Sequence, residues 1–360
     1  MANPQPEKGD PQAAFSDRML ELLNAGATCL LVSLGHRTGL FDALAGAAGL
    51  TSEQLARRSG LDERYVREWL GGMTVARVVD HEPASRRFSL SAAHADSLCR
   101  ASTAGNMAVF AQYIPLLAGV EDDILGCFRS GGGVPYSRYA RFHEVMAEDS
   151  AQTVLSCLYT HILPLVPELA QRLERGIRVL DAGCGRGLAL ADLAARFPRS
   201  RFTGFDLSDA AIGHARQLAS QRGLANLAFE VRDLRSFDRD APDEAFDLVT
   251  TFDAVHDQPD PLALLRGIRR ALAPDGIYLM QDIHGAGRVE GDLDHPLGPL
   301  LYTISLFHCM TVSLAQGGSG LGAMWGRQRA EALLREAGFR GIDVHRLPHD
   351  PQNDYYVIRP

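Results

Sequence analysis

The chain has 360 residues, 46% hydrophobic and 22% charged, with a formal net charge of −8. That is long enough for two globular domains and argues against binding nucleic acid or anionic membrane over the whole surface. Of the 36 basic residues only Lys8 is lysine, so chemistry that needs a lysine in the folded core, such as Schiff-base catalysis or a lysine-bearing phosphate loop, is excluded. Residues 1–14, rich in Pro and charge, are expected to be disordered. From Phe15 apolar residues recur at helical spacing (Met19, Leu22, Leu23, Ala27, Leu30, Leu31, Leu34), giving a helix with one broad apolar face. The amino terminus lacks the basic and apolar regions of a secretory signal, and no run approaches the roughly 20 apolar residues of a membrane span. The expected location is cytoplasmic, with no membrane partner. Six scattered cysteines, none in a Cys-x-x-Cys pair, read as reduced thiols.

Thr51 to Gly60 and Asp62 to Leu70 read as two short helices. Thr51 or Ser52 caps the first, Gly60 ends it, and Asp62 caps the second, which makes a helix-turn-helix. The β-prone runs 75–80 and 87–91, with a Pro/Ser turn between them, complete a winged helix over residues 15–100. Between Thr51 and Arg100 eight arginines face seven acids. That balance is a poor footprint for phosphate contact, so DNA binding is not expected, and packing against a second copy of the chain is.

Residues 101–170 read as connecting helices, interrupted by the Gly-rich stretch 130–136, that wall part of a pocket. From 171 to 360 short apolar strands alternate with helices, the pattern of a parallel doubly wound sheet. The expected strands are 177–182, 201–206, 227–231, 246–252 and 276–282, with a closing pair at 341–347 and 354–358.

The first strand ends in Asp181, Gly183, Cys184, Gly185 and Gly187, a D-x-G-x-G-x-G run immediately before a helix. Glycine there lets backbone approach a ligand closely. Asp206 ends the second strand, where a carboxylate can accept hydrogen bonds from ribose hydroxyls. A dinucleotide fingerprint would need glycine or alanine at position 188 or 190, and both are leucine.

The pattern instead resembles motif I of class I S-adenosyl-L-methionine (SAM)-dependent methyltransferases. Asp233 and Leu234 after strand three, the strand 246–252 with its loop, and the helix, Pro-x-Gly turn and strand over 262–282 follow in the order seen in that family. The resemblance implies an α/β fold: a Rossmann-like, seven-stranded methyltransferase core with an N-terminal, mostly α-helical winged-helix domain. It implies SAM as cofactor, held by the motif I residues, Asp206, Leu207, Asp233, Leu234 and Phe252, with Asp233 reading the adenine amino group. The arrangement is similar to small-molecule O-methyltransferases and to actinobacterial winged-helix methyltransferases labelled as transcriptional regulators. Carried over, His256 becomes the general base, with Asp257 beside it and Asp282 orienting the imidazole. The family's Trp after the Asp is replaced here by Gln258 and Pro259.

The segment 295–339 extends the resemblance. As an insertion over the cofactor cleft it makes His308, Met310, Ser313, Met324 and Trp325 candidates for the substrate wall, with Gly317, Gly318, Gly320 and Gly322 forming a flexible or tightly turned loop. His284, His295, His345 and His349 show no ligand spacing, so no metal is expected. The function expected is methyl transfer from SAM to a small molecule, at oxygen, by a homodimer formed through the N-terminal domain. Transfer to nitrogen or sulfur, or a SAM-sensing regulator without turnover, are the alternatives.

Overall fold

A computed structural model describes residues 10–102 and 105–360, and the chain separates after Pro115 into two units. In the first, a 28-residue helix, Pro11–Thr38, is capped by the Asp10 carboxylate and stopped by Gly39 at φ 72°. This helix begins inside the segment expected to be disordered; residues 1–9, Lys8 among them, lie outside the described residues. Phe15, Met19, Leu20, Leu22, Leu23, Leu30 and Leu34 are exposed along it. Among the described residues, two helical segments, Pro11–Thr38 and Gly298–Ala315, are long and apolar enough by length and composition to cross a membrane. This corrects the run-length reading, which missed them because small polar residues interrupt each apolar run.

Ser52–Ser59 carries a reciprocal capping box between Thr51 and Gln54, and Gly60 closes it at φ 69°. Asp62 accepts from the backbone amides of Arg64 and Tyr65 and starts Glu63–Val75. Trp69, packed edge-on against Phe41, donates from Nε1 to the Leu31 carbonyl at 2.8 Å. The first helix can approach so closely because a Cβ on Gly35 would sit 2.6 Å from the Trp69 ring. The wing is shorter than its sequence pattern. The second helix runs through Val75, Arg77 adopts a left-handed turn, and only Asp80–Glu82 (β1) pairs with Arg87–Ser89 (β2). The β-prone 75–79 is consumed by the helix end and that turn.

The second unit takes in residues 116–170, which the sequence suggested as connecting helices. Its sheet contains β3 (Arg178–Ala182), β4 (Arg201–Asp206), β5 (Leu227–Val231), β6 (Phe246–Phe252), β7 (Leu272–Ile283), β8 (Gly341–His345) and β9 (Asn353–Arg359). The order is β5-β4-β3-β6-β7-β9-β8, parallel except for antiparallel β9 between β7 and β8. β7 starts four residues earlier than expected, pairing Leu272 with Phe246 across an irregular register. Side chains alternate across the sheet as period-two geometry demands. Leu180, Val249, Tyr278, Met280 and Tyr356 pack on one face, and Val179, Leu248, Leu279, Tyr355 and Val357 on the other. Burial on both faces explains the continuous apolar runs. β3 lies between β4 and β6, so the chain's direction of winding reverses there and opens a crevice at the strands' carboxyl ends.

Candidate active site

After β3 the chain turns through Gly183, Gly185 and Gly187 at φ 86°, 53° and 70° and enters helix Leu188–Arg196. Only glycine takes this left-handed path freely. The three positions differ in what surrounds them. A Cβ on Gly187 would meet the Phe229 ring at 2.4 Å and one on Gly183 would meet Ala254 at 2.6 Å, whereas one on Gly185 would have no protein atom within 4 Å. Asp206, at the end of β4, accepts from the Gly185 amide on Oδ2 and from the Ser208 amide on Oδ1, both at 2.8 Å. Its remaining lone pairs are free to accept further bonds.

These residues line a cavity of about 520 Å³, within the range of small-ligand sites. All ten residues expected to hold the cofactor line it: Asp181, Gly183, Cys184, Gly185, Gly187, Asp206, Leu207, Asp233, Leu234 and Phe252. Asp181 is buried, accepts from Thr250 Oγ1 at 2.8 Å, and is pushed up to about 7 by that burial. Asp233 is exposed at the rim, paired with Arg235.

The rest of the cavity lining is built differently. Tyr136, which ends the Gly-rich stretch and opens the turn Tyr136–Arg138, donates from its hydroxyl to Asp257 Oδ2 at 3.0 Å. His143, Met146, Ala147, Ser150 and Val154 add one face of helix Phe142–Thr153 and its end. The His143 ring lies parallel to Tyr136 at 6.0 Å, and burial holds its pKa below the usual value, as does the charge of Arg186. None of these was singled out in the sequence. The signal was the spacing 143, 146/147, 150, 154, a helical face that mixes His and Ser with apolar residues.

Of the expected catalytic residues, Asp257 lines the cavity and His256 and Asp282 stand behind it. His256 is buried; its Nδ1 lies 2.7 Å from Asp282 Oδ1 and its Nε2 3.3 Å from Asp257 Oδ1. The second approach lacks hydrogen-bond geometry, since Asp257 Oδ1 has no bonded partner among the described residues. Asp282 Oδ1 also accepts from Trp325 Nε1 at 2.9 Å. Burial alone lowers the His256 pKa, but the charges of Asp282 and Asp257 outweigh it and the imidazole titrates well above its usual range. Asp253, at the cavity wall, has a left-handed backbone at φ 58°, a strained conformation for a residue with a side chain.

Of the expected substrate wall, His308, Met310, Met324 and Trp325 are not among the residues that line this cavity. His308 is buried with its ring stacked 3.6 Å from Phe142, and burial holds its pKa down to about 4. Met324 packs with Ile283 and Leu301, and Trp325 serves Asp282. Only Gln316 of the insertion reaches the cavity. The glycine loop is tightly turned and tied down, with the Ser319 amide on the Pro259 carbonyl at 3.0 Å and Ser313 Oγ on the Gln258 carbonyl at 3.1 Å.

Residues 26–100 match the family model of the Rv2258c-like winged helix-turn-helix domain, and residues 173–302 that of a methyltransferase domain. The ubiquinone biosynthesis O-methyltransferase of Neisseria meningitidis serogroup C is 34% identical over 113 residues, 31% of this chain and 45% of that protein. The fatty-acid O-methyltransferase of Mycolicibacterium smegmatis is 33% identical over 113 residues, 31% of this chain and 39% of that protein. The chain thus spans less than half the length of these relatives. Among solved structures, human N-acetylserotonin methyltransferase in complex with SAM superposes with a TM-score of 0.68 at 17% identity, over 99% of both chains. Mitomycin 7-O-methyltransferase does so with 0.67 at 19% identity, over 97% of this chain and 99% of that one. At such identities the likeness is one of fold.

Fold and site together define a class I methyltransferase core. The chain joins this SAM-dependent type of domain to an N-terminal winged helix-turn-helix domain. The residues fit the cofactor: a backbone cradle left open at Gly185, which any side chain would fill, faces a carboxylate of the kind that binds ribose.

Proposed function

We propose that the protein is a SAM-dependent methyltransferase that modifies an oxygen of a small molecule. The observation that carries this reading is a cavity lined both by an open glycine cradle and by Tyr136, His143 and Asp257. The cofactor, when bound, supplies a sulfonium-activated methyl group. The chain's own residues then hold the acceptor, exclude water and take its proton. Asp257 presents a carboxylate to the acceptor, and His256, held by Asp282 and 3.3 Å from Asp257, is the proton's destination once a small rotation aligns the two as a hydrogen bond. The neighbouring carboxylates raise the His256 pKa, so its capacity to accept a proton grows as the pH rises.

A second reading has one observation in its favour: His143 faces the cavity directly, and burial holds its pKa below the usual value. The pH dependence of kcat separates the two. A rate that rises above pH 7 and is lost in His256→Ala supports the buried pair. A rate that levels below pH 6.5 and is lost in His143→Gln assigns the proton to the helix. A panel of phenols, carboxylic acids, amines and thiols tests the acceptor: transfer confined to amines or thiols overturns the oxygen assignment. No transfer to any acceptor, together with SAM-dependent binding to a promoter fragment, overturns the enzyme.

The apolar stripe on Pro11–Thr38 supports a homodimer, because a patch of this kind is normally covered. Light scattering should give twice the chain mass, and Leu23→Glu should shift it toward the monomer; a monomeric wild type overturns this part.

A further inference from the structure

We propose a second site, separate from the methyl-transfer cavity, in which Cys157, His161 and His349 bind a zinc ion. Their ligand atoms lie within 4.8 Å of one another. Cys157 ends the turn Leu155–Cys157, and His161, four residues on, lies in the π-helical turn Leu158–Ile162. His349 comes from the loop between β8 and β9. The two imidazole centroids are 4.9 Å apart.

The hydrogen bonds point to ligation. His349 Nε2 lies 3.2 Å from the Thr153 carbonyl, which can only accept, so Nε2 carries the proton and Nδ1 keeps its lone pair. That Nδ1 is buried and has no hydrogen-bond partner among the described residues. His161 Nδ1 lies 2.8 Å from Thr160 Oγ1; with Nδ1 donating in that bond, Nε2 keeps its lone pair for a metal. Each imidazole has one nitrogen engaged by the protein, and for His349 the carbonyl partner fixes the tautomer, as at metal sites.

One thiol and two imidazoles, with no oxygen donor, form a set for zinc rather than magnesium or calcium. Tetrahedral zinc places such ligands about 3.3–3.6 Å apart, so the site closes by a small movement, for which the exposed His161 is free. Binding displaces the Cys157 proton to solvent and leaves a fourth position for water. The ion would clamp the 346–352 loop to a segment that follows directly on Val154 and Leu155, both in the cavity wall. Thr153 already receives His349 and the Tyr355 hydroxyl on its carbonyl.

The test uses untagged, full-length protein, stripped with a chelator and kept reduced. Titration with zinc sulfate by calorimetry should give one equivalent, and cobalt chloride should give a thiolate-to-cobalt charge-transfer band with the visible bands of a tetrahedral site. Cys157→Ser should abolish the charge-transfer band, and His349→Ala should weaken zinc binding more than about tenfold. If His349→Ala does not fold, as judged by circular dichroism, His161→Ala carries the same expectation at an exposed position. Cys309→Ser, at a buried thiol whose sulfur lies within 4.8 Å of ligand atoms of His256 and Asp257, should leave both signals unchanged. Absence of stoichiometric uptake, unchanged signals in the Cys157 and His349 variants, or loss in Cys309→Ser would each overturn the proposal.

Discussion

Two parts of the cavity lining are made of different material. The glycine part is backbone: three left-handed residues after β3 and the Asp206 carboxylate that receives the Gly185 amide. The other part is side chains on irregular elements, where Tyr136, His143 and Asp257 come from a turn, a helix and a loop. A ligand common to many enzymes can be read by main-chain geometry, which tolerates change in the surrounding residues. An acceptor particular to one enzyme needs side chains, whose positions depend on the packing behind them.

That contrast can be broken in several places. The largest effect is expected at the side-chain part: His256→Ala should lower kcat by about 10²–10⁴ while leaving S-adenosylhomocysteine affinity unchanged by calorimetry. Loss of cofactor affinity in this variant would show that the two parts are not separable. Next comes Asp206→Ala, which removes two charge-assisted bonds and should weaken S-adenosylhomocysteine by about 3 kcal/mol, over 100-fold.

The glycine turn offers a sharper pair. Gly187→Ala drives a methyl into Phe229 and should cost about 2–3 kcal/mol of stability, seen as a lower Tm. Gly185→Ala meets no protein atom; it should cost only the roughly 1 kcal/mol of left-handed alanine and yet weaken S-adenosylhomocysteine more than about tenfold. Equal melting losses in the two would erase the distinction between a packed and an open glycine.

The smallest effect is one of pH. Asp181, at about 7 when folded against an ordinary carboxyl when unfolded, has a raised pKa. Its contribution to stability is therefore greatest in acid and is lost as pH rises from about 4 through 7. A ligand bearing an ammonium favours the ionised carboxylate, so affinity for S-adenosylhomocysteine should rise about five- to tenfold from pH 6 to 8. Asp181→Asn should flatten that rise; an unaltered slope would assign it to another group.

The glycine part was legible in the sequence because each requirement there acts on one residue. Positive φ demands glycine, and a strand end that must accept hydrogen bonds demands a carboxylate. Strand positions were legible for a similar reason, since burial on both faces leaves an apolar run. His256 was found through resemblance, but its retreat behind Asp257 follows from Asp282 and Trp325, 26 and 69 residues further along the chain. His308 and Trp325 were expected at the acceptor because their segment is an insertion. Their burial against Phe142 and Asp282 is a tertiary fact with no local pattern. The wing was overread at Val75 because β-branched residues also end helices.

The tie between the glycine loop and Pro259 bears on how such a protein can diversify. The carbonyls of Gln258 and Pro259, just beyond the His256–Asp257 pair, are held by Ser313 and Ser319 rather than by the sheet. Exchange of the 295–339 segment between related chains would thus re-aim the acceptor loop while sparing the turn after β3. New acceptors become accessible to recombination of one contiguous stretch, without the cofactor being selected anew.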